Sequence, residues 1–218
     1  MKKEFSSMPE SFTEQWPGEL DMFSWKDFLA GIPSPLFVVT GWKSNGRENA
    51  CLQAWSAFTS TNGEFVCILG HVFKDGHMYR SLKETGCCVL NFPSSEVYEN
   101  CLKTIANNDF ETDEITSSGL SVQKAVAVNA PRIAECFLNI ECEFLWEKEH
   151  FEGSDGVVVA LKAVHMAMEE NHYVQNLGKP GRYGKSGYLF NINSPRNPET
   201  GASEGSVLAT VEILKQSE

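Results

Sequence analysis

With 218 residues, 42% of them apolar and 22% charged, the chain is long enough for one domain with a sizeable core and has the balance of an ordinary soluble globular protein. Its 18 Lys and Arg against 29 Asp and Glu leave a net charge of −11, which argues against nucleic acid or an anionic membrane as main partner, because no basic excess exists to neutralise phosphates. No apolar stretch approaches the ~20 residues of a membrane span, and residues 1–16 carry two lysines with no apolar segment behind them, unlike a secretory leader, so a cytoplasmic protein is expected.

After a lead-in over residues 1–31, residues 36–42 (LFVVTGW) read as a buried strand, and the Asn45-Gly46 pair in KSNGRE signals a hairpin. Residues 50–60 read as its partner strand, TNGE as a second turn, and residues 65–69 (FVCIL) as a third strand of an antiparallel meander. Residues 77–85 (HMYRSLKET) predict a short helix stopped by Gly86, and residues 87–92 (CCVLNF) a strand ended by Pro93. A second helix is expected from Ser94 to about Ala106, carrying Val97, Cys101, Leu102 and Ile105 at helical spacing. Residues 107–129 are polar with weak propensity either way. Residues 136–145 alternate, with Cys136, Leu138, Ile140, Cys142 and Phe144 on one face and Asn139, Glu141 and Glu143 on the other. A β-branched run at 157–168 and a short strand at 188–192 follow. Six or seven strands with two inserted helices predict a mainly β fold, a closed antiparallel barrel, since closure removes sheet edges.

The seven cysteines sit in apolar runs without a C-x-x-C pair, the pattern of reduced, buried thiols. Neighbours in a strand point to opposite faces, so Cys87 and Cys88 are not expected to bond to each other. The five histidines show no metal-ligand spacing, and no metal site is expected; His165, within an apolar run, reads as a core residue. GKPGRYGKS (178–186) resembles a phosphate loop, but its first Gly is one residue early and a strand, not a helix, follows. It reads as a closely packed loop in which Arg182, Tyr183 and Lys185 could cover a ligand. No G-x-S-x-G serine hydrolase motif occurs.

The stretch NACLQAWSAFTST (49–61) poses the central question. It reads as a strand, yet neither face is cleanly apolar or cleanly solvated. Around Ala54 and Ser56 it is small enough for a flat ring to approach the backbone, and Ser56, Thr59 and Ser60 offer hydroxyls to a polar tail. The other reading is a twisted edge strand whose polar groups meet water or turn backbone.

Four stretches, PSPLFVVTGWKSNGRENACLQAWSAFTST, GHMYRSLKETGCCVLNFPS, ITSSGLSVQKAVAVNAPRIAECFLNIECEF and RYGKSGYLFNINSPRNP, occur in an order and spacing that resemble the flavin reductase-like family of FMN-binding split barrels, in its flavoredoxin-like branch. The resemblance implies a six-stranded antiparallel Greek-key split β-barrel over residues 32–198, with residues 199–218 as a tail packing on the barrel or on a partner subunit. It also implies a homodimer with FMN near the interface. It puts Asn49, Gln53, Ala54, Trp55 and Ser56 along the flavin and Thr59 and Ser60 toward the ribityl-phosphate. His71, His77, Met78, Tyr79 and Ser81 would lie at the phosphate end, with Asn91 close by. Ala54 stands where many relatives carry Ser, and Met78 where many carry Thr.

The implied chemistry is redox work by the flavin, with the protein supplying binding and access and no acid–base residue essential. Three functions are compatible with it. The first is an NAD(P)H:flavin oxidoreductase that takes a hydride from NADH or NADPH and passes electrons to free flavin or a redox partner. The second is a flavoredoxin-like FMN electron carrier without a nicotinamide site, for which the acidic charge suits a basic redox protein. The third is a flavin-binding protein without turnover.

Overall fold

A computed structural model of the protein describes residues 1–106, 109–173 and 181–213. In chain order its elements begin with α1 (Glu19–Met22), α2 (Trp25–Ala30), β1 (Ser34–Trp42), β2 (Glu48–Gln53), β3 (Ser56–Thr61), β4 (Glu64–Phe73), α3 (His77–Thr85) and β5 (Cys87–Phe92). They continue with α4 (Tyr98–Lys103), α5 (Glu114–Ser117), β6 (Val122–Lys124), β7 (Pro131–Ile133), β8 (Leu138–Glu149), β9 (Gly156–Met168), α6 (Glu170–Tyr173), β10 (Leu189–Ile192) and β11 (Val207–Thr210). The chain divides into two compact units, residues 1–34 with 190–209, and residues 35–189 with the chain from 210 on.

The smaller unit is organised around a buried cation. Arg196 donates to Glu19 Oε1 at 2.6 Å and to the Thr13 carbonyl at 2.8 Å, and its guanidinium lies 4.3 Å from the centre of the Phe28 ring. Without those partners so buried a charge would be costly. Burial by itself would raise the pKa of Glu19; the hydrogen bonds from Arg196 and the Gln15 N–H outweigh it and hold the carboxyl below its usual range.

In the larger unit the strands pair antiparallel in the order β1-β5-β8-β9-β4-β3, and β2 adds to β1. The two outermost strands of that set, β2 and β3, are consecutive in the chain, joined through Ala54 and Trp55. Here the structure corrects the expectation twice. The sheet is not closed, since among the described residues no ladder joins β2 to β3. The stretch 50–60 is also not one strand, because it breaks at Trp55, whose φ of 47° lies in the left-handed region. A physical cause sits across the gap: a Cβ on Gly70 of β4 would stand 2.0 Å from the Trp55 carbonyl oxygen, so β4 approaches this corner as only glycine permits. The barrel is thus split at the corner rather than sealed.

Inside it, the rings of Phe37, Phe58 and Phe92 meet at centroid distances of 5.0, 5.7 and 5.8 Å, amid Leu69, Leu90, Val159 and Leu161. The outer face of β1 and β2 is covered as well: Val38 and Ala50 pack with Cys101 of α4, Ile115 of α5 and Ile133 of β7. Burial on both faces explains why β1 is an unbroken apolar run rather than an alternating one. α3 and β5 have the bounds the sequence predicts, and Gly86 caps α3 with φ 67°. The expected second helix is shorter, six residues long, and residues 107–129 contain α5 and β6, which their weak propensities did not announce.

Of the polar face expected on β8, Asn139 and Glu141 are buried and only Glu143 is exposed. Glu141 is fully enclosed and accepts hydrogen bonds from the backbone N–H groups of Val126, Ala127 and Val128 and from Arg132. The segment before β7 therefore folds onto the outer side of β8, and a carboxylate in a ring of donors replaces contact with water. His165, expected in the core, is half-buried on β9 opposite Glu141. All seven cysteines are free. Burial pushes the thiols of Cys51 and Cys67 up to about 11 and about 12, so little reactive thiolate forms there near neutral pH.

Candidate functional site

The split leaves a cavity of about 310 Å³, within the range of small-molecule sites. Its walls are β2, the Ala54–Trp55 corner, residues 71–73 of β4, the start of α3 from Gly76 to Met78, and Thr104 with Ile105 beyond α4. The ladder between β4 and β9 shifts register between Leu69 and Val72, and this bulge turns His71 toward the cavity. A Cβ on Gly156 would lie 2.5 Å from the His71 ring, so the ring occupies the space a larger residue on β9 would fill.

Several wall groups are polar and only partly satisfied. Asn49 donates to Ser81 Oγ at 3.0 Å, tying β2 to α3. The Gln53 side-chain amide donates to the Ala54 carbonyl at 2.9 Å and the His71 carbonyl at 3.2 Å, which bridges the split. Behind the wall, Glu114 accepts the Ala50 N–H at 2.6 Å and pairs with the buried Lys43 Nζ at 2.8 Å. Lys43 also donates to the carbonyls of Asp109 and Thr112. His77 Nδ1 is buried without a hydrogen bond, 3.8 Å from Glu114 Oε1. α3 begins at Gly76 with no side-chain cap and no acidic residue in its first turn, so its N–H groups and positive dipole end are available to an anion. Arg80 lies on the same helix beside a small cleft shared with His77 and Ser81.

The rim is aromatic. His71 stacks on His150 at 5.3 Å and meets Phe73 edge-on at 4.5 Å. His71 Nε2 lies 3.8 Å from Asp155, and Lys74 Nζ is held by Glu149 and the Ser154 carbonyl. Burial lowers the pKa of His71, and the neighbouring His150 adds to this against the opposing pull of Asp155. Trp55 and Phe73 are about two-fifths exposed at the mouth, 41% and 42%.

Of the residues singled out from the sequence, Asn49, Gln53, Ala54, Trp55, His71, His77 and Met78 come together on this wall. Ser81 is one layer behind, as the partner of Asn49. Ser56 lies past the corner and donates to the Ala54 carbonyl at 3.0 Å, while Thr59 and Ser60 are exposed along β3, outside the cavity wall. Tyr79 faces away from it and donates to Glu147. Asn91 is fully buried: it donates toward the Val38 and Val89 carbonyls and Thr40 Oγ1, and accepts from the Ile133 N–H and Asn139. Every polar atom it has is used within the protein, so it joins β1, β5, β7 and β8 instead of facing the cavity.

Cys51, Leu52, Phe73, Thr104 and Ile105 also line the cavity and were not singled out. Ile105 carried a signal, the helical apolar spacing, but that signal reads equally as core. For Lys43 and Glu114 nothing local hinted at burial. Lys43 reads as part of an exposed turn, and Glu114 sits in the stretch of weak propensity. Of the glycine-rich loop, residues 178–180 lie outside the described residues, and residues 182–188 form a tight turn in which the Tyr188 N–H donates to the Arg182 carbonyl.

Among the described residues no group of His, Cys, Asp and Glu is arranged to hold a metal ion, and no helix is long and apolar enough to cross a membrane. The chain is 23% identical over 144 residues to an uncharacterised protein of Methanothermobacter thermautotrophicus, which covers 65% of this chain and 66% of that one. It therefore spans just under two thirds of the curated relative it matches. Its fold is similar to flavoredoxin of Desulfovibrio vulgaris (Miyazaki F), with TM-score 0.65, 18% identity, and 85% of this chain and 90% of that chain covered. It is similar also to an FMN-binding protein from Thermus thermophilus, solved with bound p-hydroxybenzaldehyde, with TM-score 0.64, 13% identity and 100% of both chains covered. The profile of the flavin reductase like domain matches residues 29–188, most of the chain. A mainly β split barrel, that match and the order of motifs agree: the chain belongs to the flavin reductase-like family.

Proposed function

We propose that the cavity binds FMN and that the protein is an oxidoreductase moving a hydride or electrons between that flavin and a second molecule at the mouth. The observation that carries this reading is the make-up of the wall. An apolar, small-residue surface at Ala50 and Ala54 faces a helix start with uncapped N–H groups. A flat heterocycle with an anionic tail needs that combination: contact area for its rings and directed donors for its phosphate. Bound flavin supplies two-electron or one-electron redox chemistry at its ring.

The protein's own residues bind and orient. Ala54 and the Trp55 corner leave the backbone open to a ring edge, Asn49 and Gln53 present amides, and α3 with Arg80 receives the phosphate. Phe73, Trp55 and Ile105 keep water from the ring and leave one approach through the mouth. Fitting this arrangement, no side chain is asked to relay a proton in the transfer itself. In this reading NADH or NADPH delivers its hydride at the mouth, and free flavin or a redox protein accepts the electrons. The working form is a cytoplasmic homodimer with FMN near the subunit interface. A carrier without a nicotinamide site is the second reading, favoured by the acidic charge of −11.

The test is a visible absorption spectrum of the purified protein, soaked in FMN if colourless, before and after NADH and then NADPH under argon. Flavin bands that bleach with nicotinamide support the reductase. Bands that persist until dithionite is added support the carrier. No bound flavin after soaking sinks both. Trp55→Ala with Ser56→Ala is expected to release the flavin while the far-ultraviolet circular dichroism stays unchanged.

A further inference from the structure

Among the described residues the cavity wall carries no lysine or arginine, and the groups on it that can turn positive are His71 and His77. The cation behind the wall, Lys43, is already held by Glu114 and two backbone carbonyls. His77 opens α3, and its ring lines both the cavity and the small cleft that Arg80 and Glu84 also line. Its Nδ1 faces Glu114 Oε1 at 3.8 Å, a little beyond hydrogen-bond reach. Both atoms are buried and neither makes a hydrogen bond, although Oε1 also pairs with Lys43. The other ring nitrogen, Nε2, lies on the side of the ring away from Nδ1 and is free of this pairing.

Hydrogen-bond chemistry fixes the protonation state a phosphate would meet here. An ionised carboxylate only accepts, so an Nδ1 that closes on Glu114 must carry a proton. A phosphate dianion also only accepts, so an Nε2 that meets it must carry one as well. A neutral imidazole has one such proton, not two. We propose that His77 holds the flavin phosphate as an imidazolium backed by Glu114, so that FMN uptake takes one proton from solvent onto the ring. The inference rests on the FMN reading above and adds how the affinity of that site follows pH. The other charged and titratable groups around the ring leave the proton to His77. Lys43 is paired with Glu114, and Arg80 and Glu84 along the cleft carry opposite charges. On the cavity wall, burial lowers the pKa of His71, and the Cys51 thiol is pushed up to about 11. An imidazole between a carboxylate and a phosphate keeps its second proton to higher pH than a free one.

The test is the flavin affinity of flavin-free protein, titrated by flavin fluorescence between about pH 7 and about pH 8.5, where the phosphate is already a dianion. FMN should bind about fivefold or more weakly at the higher pH, within the limit of about tenfold per pH unit that one linked proton sets. Riboflavin, which lacks the phosphate, should change less than about twofold over the same range. Calorimetry near pH 8 in two buffers of different ionisation enthalpy should show proton uptake with FMN and none with riboflavin. His77→Gln should weaken FMN binding at the lower pH and flatten its profile, whereas His71→Gln should leave the slope in place. An FMN affinity that is flat over this range, a slope shared by riboflavin, or a slope that survives His77→Gln overturns the proposal and leaves the flavin reading standing. Failure to bind either flavin at any pH sinks the flavin reading itself.

Discussion

Two buried asparagines behave in opposite ways. Asn91 lies where β1, β5, β7 and β8 meet, and its side chain has partners for both its amide nitrogen and its oxygen. Asn49 lies on β2 with a single hydrogen bond, to Ser81, and it faces the cavity. The same contrast separates two other polar side chains. Glu141 is ringed by three backbone N–H groups and Arg132, whereas His77 Nδ1 at the cavity has no hydrogen bond. Satisfied polar groups hold a fold together. Leaving a buried donor or acceptor unpaired costs about 1–3 kcal/mol.

The contrast can be broken by mutation, and the largest effect is expected at Glu141. Glu141→Ala leaves Arg132 and three N–H groups facing a gap, and stability should fall by about 3–5 kcal/mol in urea unfolding. If the loss is below ~1 kcal/mol, the ring of donors does not hold the 125–133 segment. The pH dependence sharpens the point. Burial would raise the Glu141 pKa, but the N–H groups of Val126 and Ala127 with Arg132 outweigh it and lower it. A depressed carboxyl contributes stability above its unfolded pKa of about 4.3 and loses it as pH falls through the folded value. Between pH 6 and pH 3 the wild type should therefore lose more stability than Glu141→Gln, and equal slopes would count against the assignment.

At the next size, Asn91→Ala should cost about 2–3 kcal/mol, because the Ile133 N–H and Asn139 lose their acceptor. FMN affinity, measured on the remaining folded protein, should change less than twofold. Asn49→Ala should do the reverse: a stability change near 1 kcal/mol for one hydrogen bond, with FMN affinity about tenfold weaker, or ~1.4 kcal/mol. Identical profiles for the two asparagines would erase the distinction between scaffold and site.

Much of the fold was legible because its signals are local. β5 and α3 follow from an apolar run and a helical spacing, each ended by the residue that cannot continue it, Pro93 and Gly86. Of the candidate site, the cavity wall along β2 falls in 49–61, where small and polar residues interrupt a strand. Seven of the thirteen residues expected at the site meet on the cavity wall, all of them on β2, the corner, the β4 bulge or the start of α3. Thr59 and Ser60 fall off it because the strand was read as continuous. Once the chain turns at Trp55, everything beyond follows β4 instead of the cavity. Asn91 lies off the cavity wall because its amide is used to pair neighbouring strands, a role that no local pattern marks.

The amino-acid sequence by itself determined the class of structure, the family and the strand that lines the cavity, since periodicity, turn pairs and motif order are carried within short stretches of chain. Tertiary structure decided where the barrel splits, which way His71 points and that Lys43 and Glu114 stand buried behind the wall. Each of these depends on a meeting of distant segments: Gly70 against Trp55, Gly156 beneath His71, α5 against β2. Such approaches are set by packing and by the need to pair buried polar groups, and no local propensity records them.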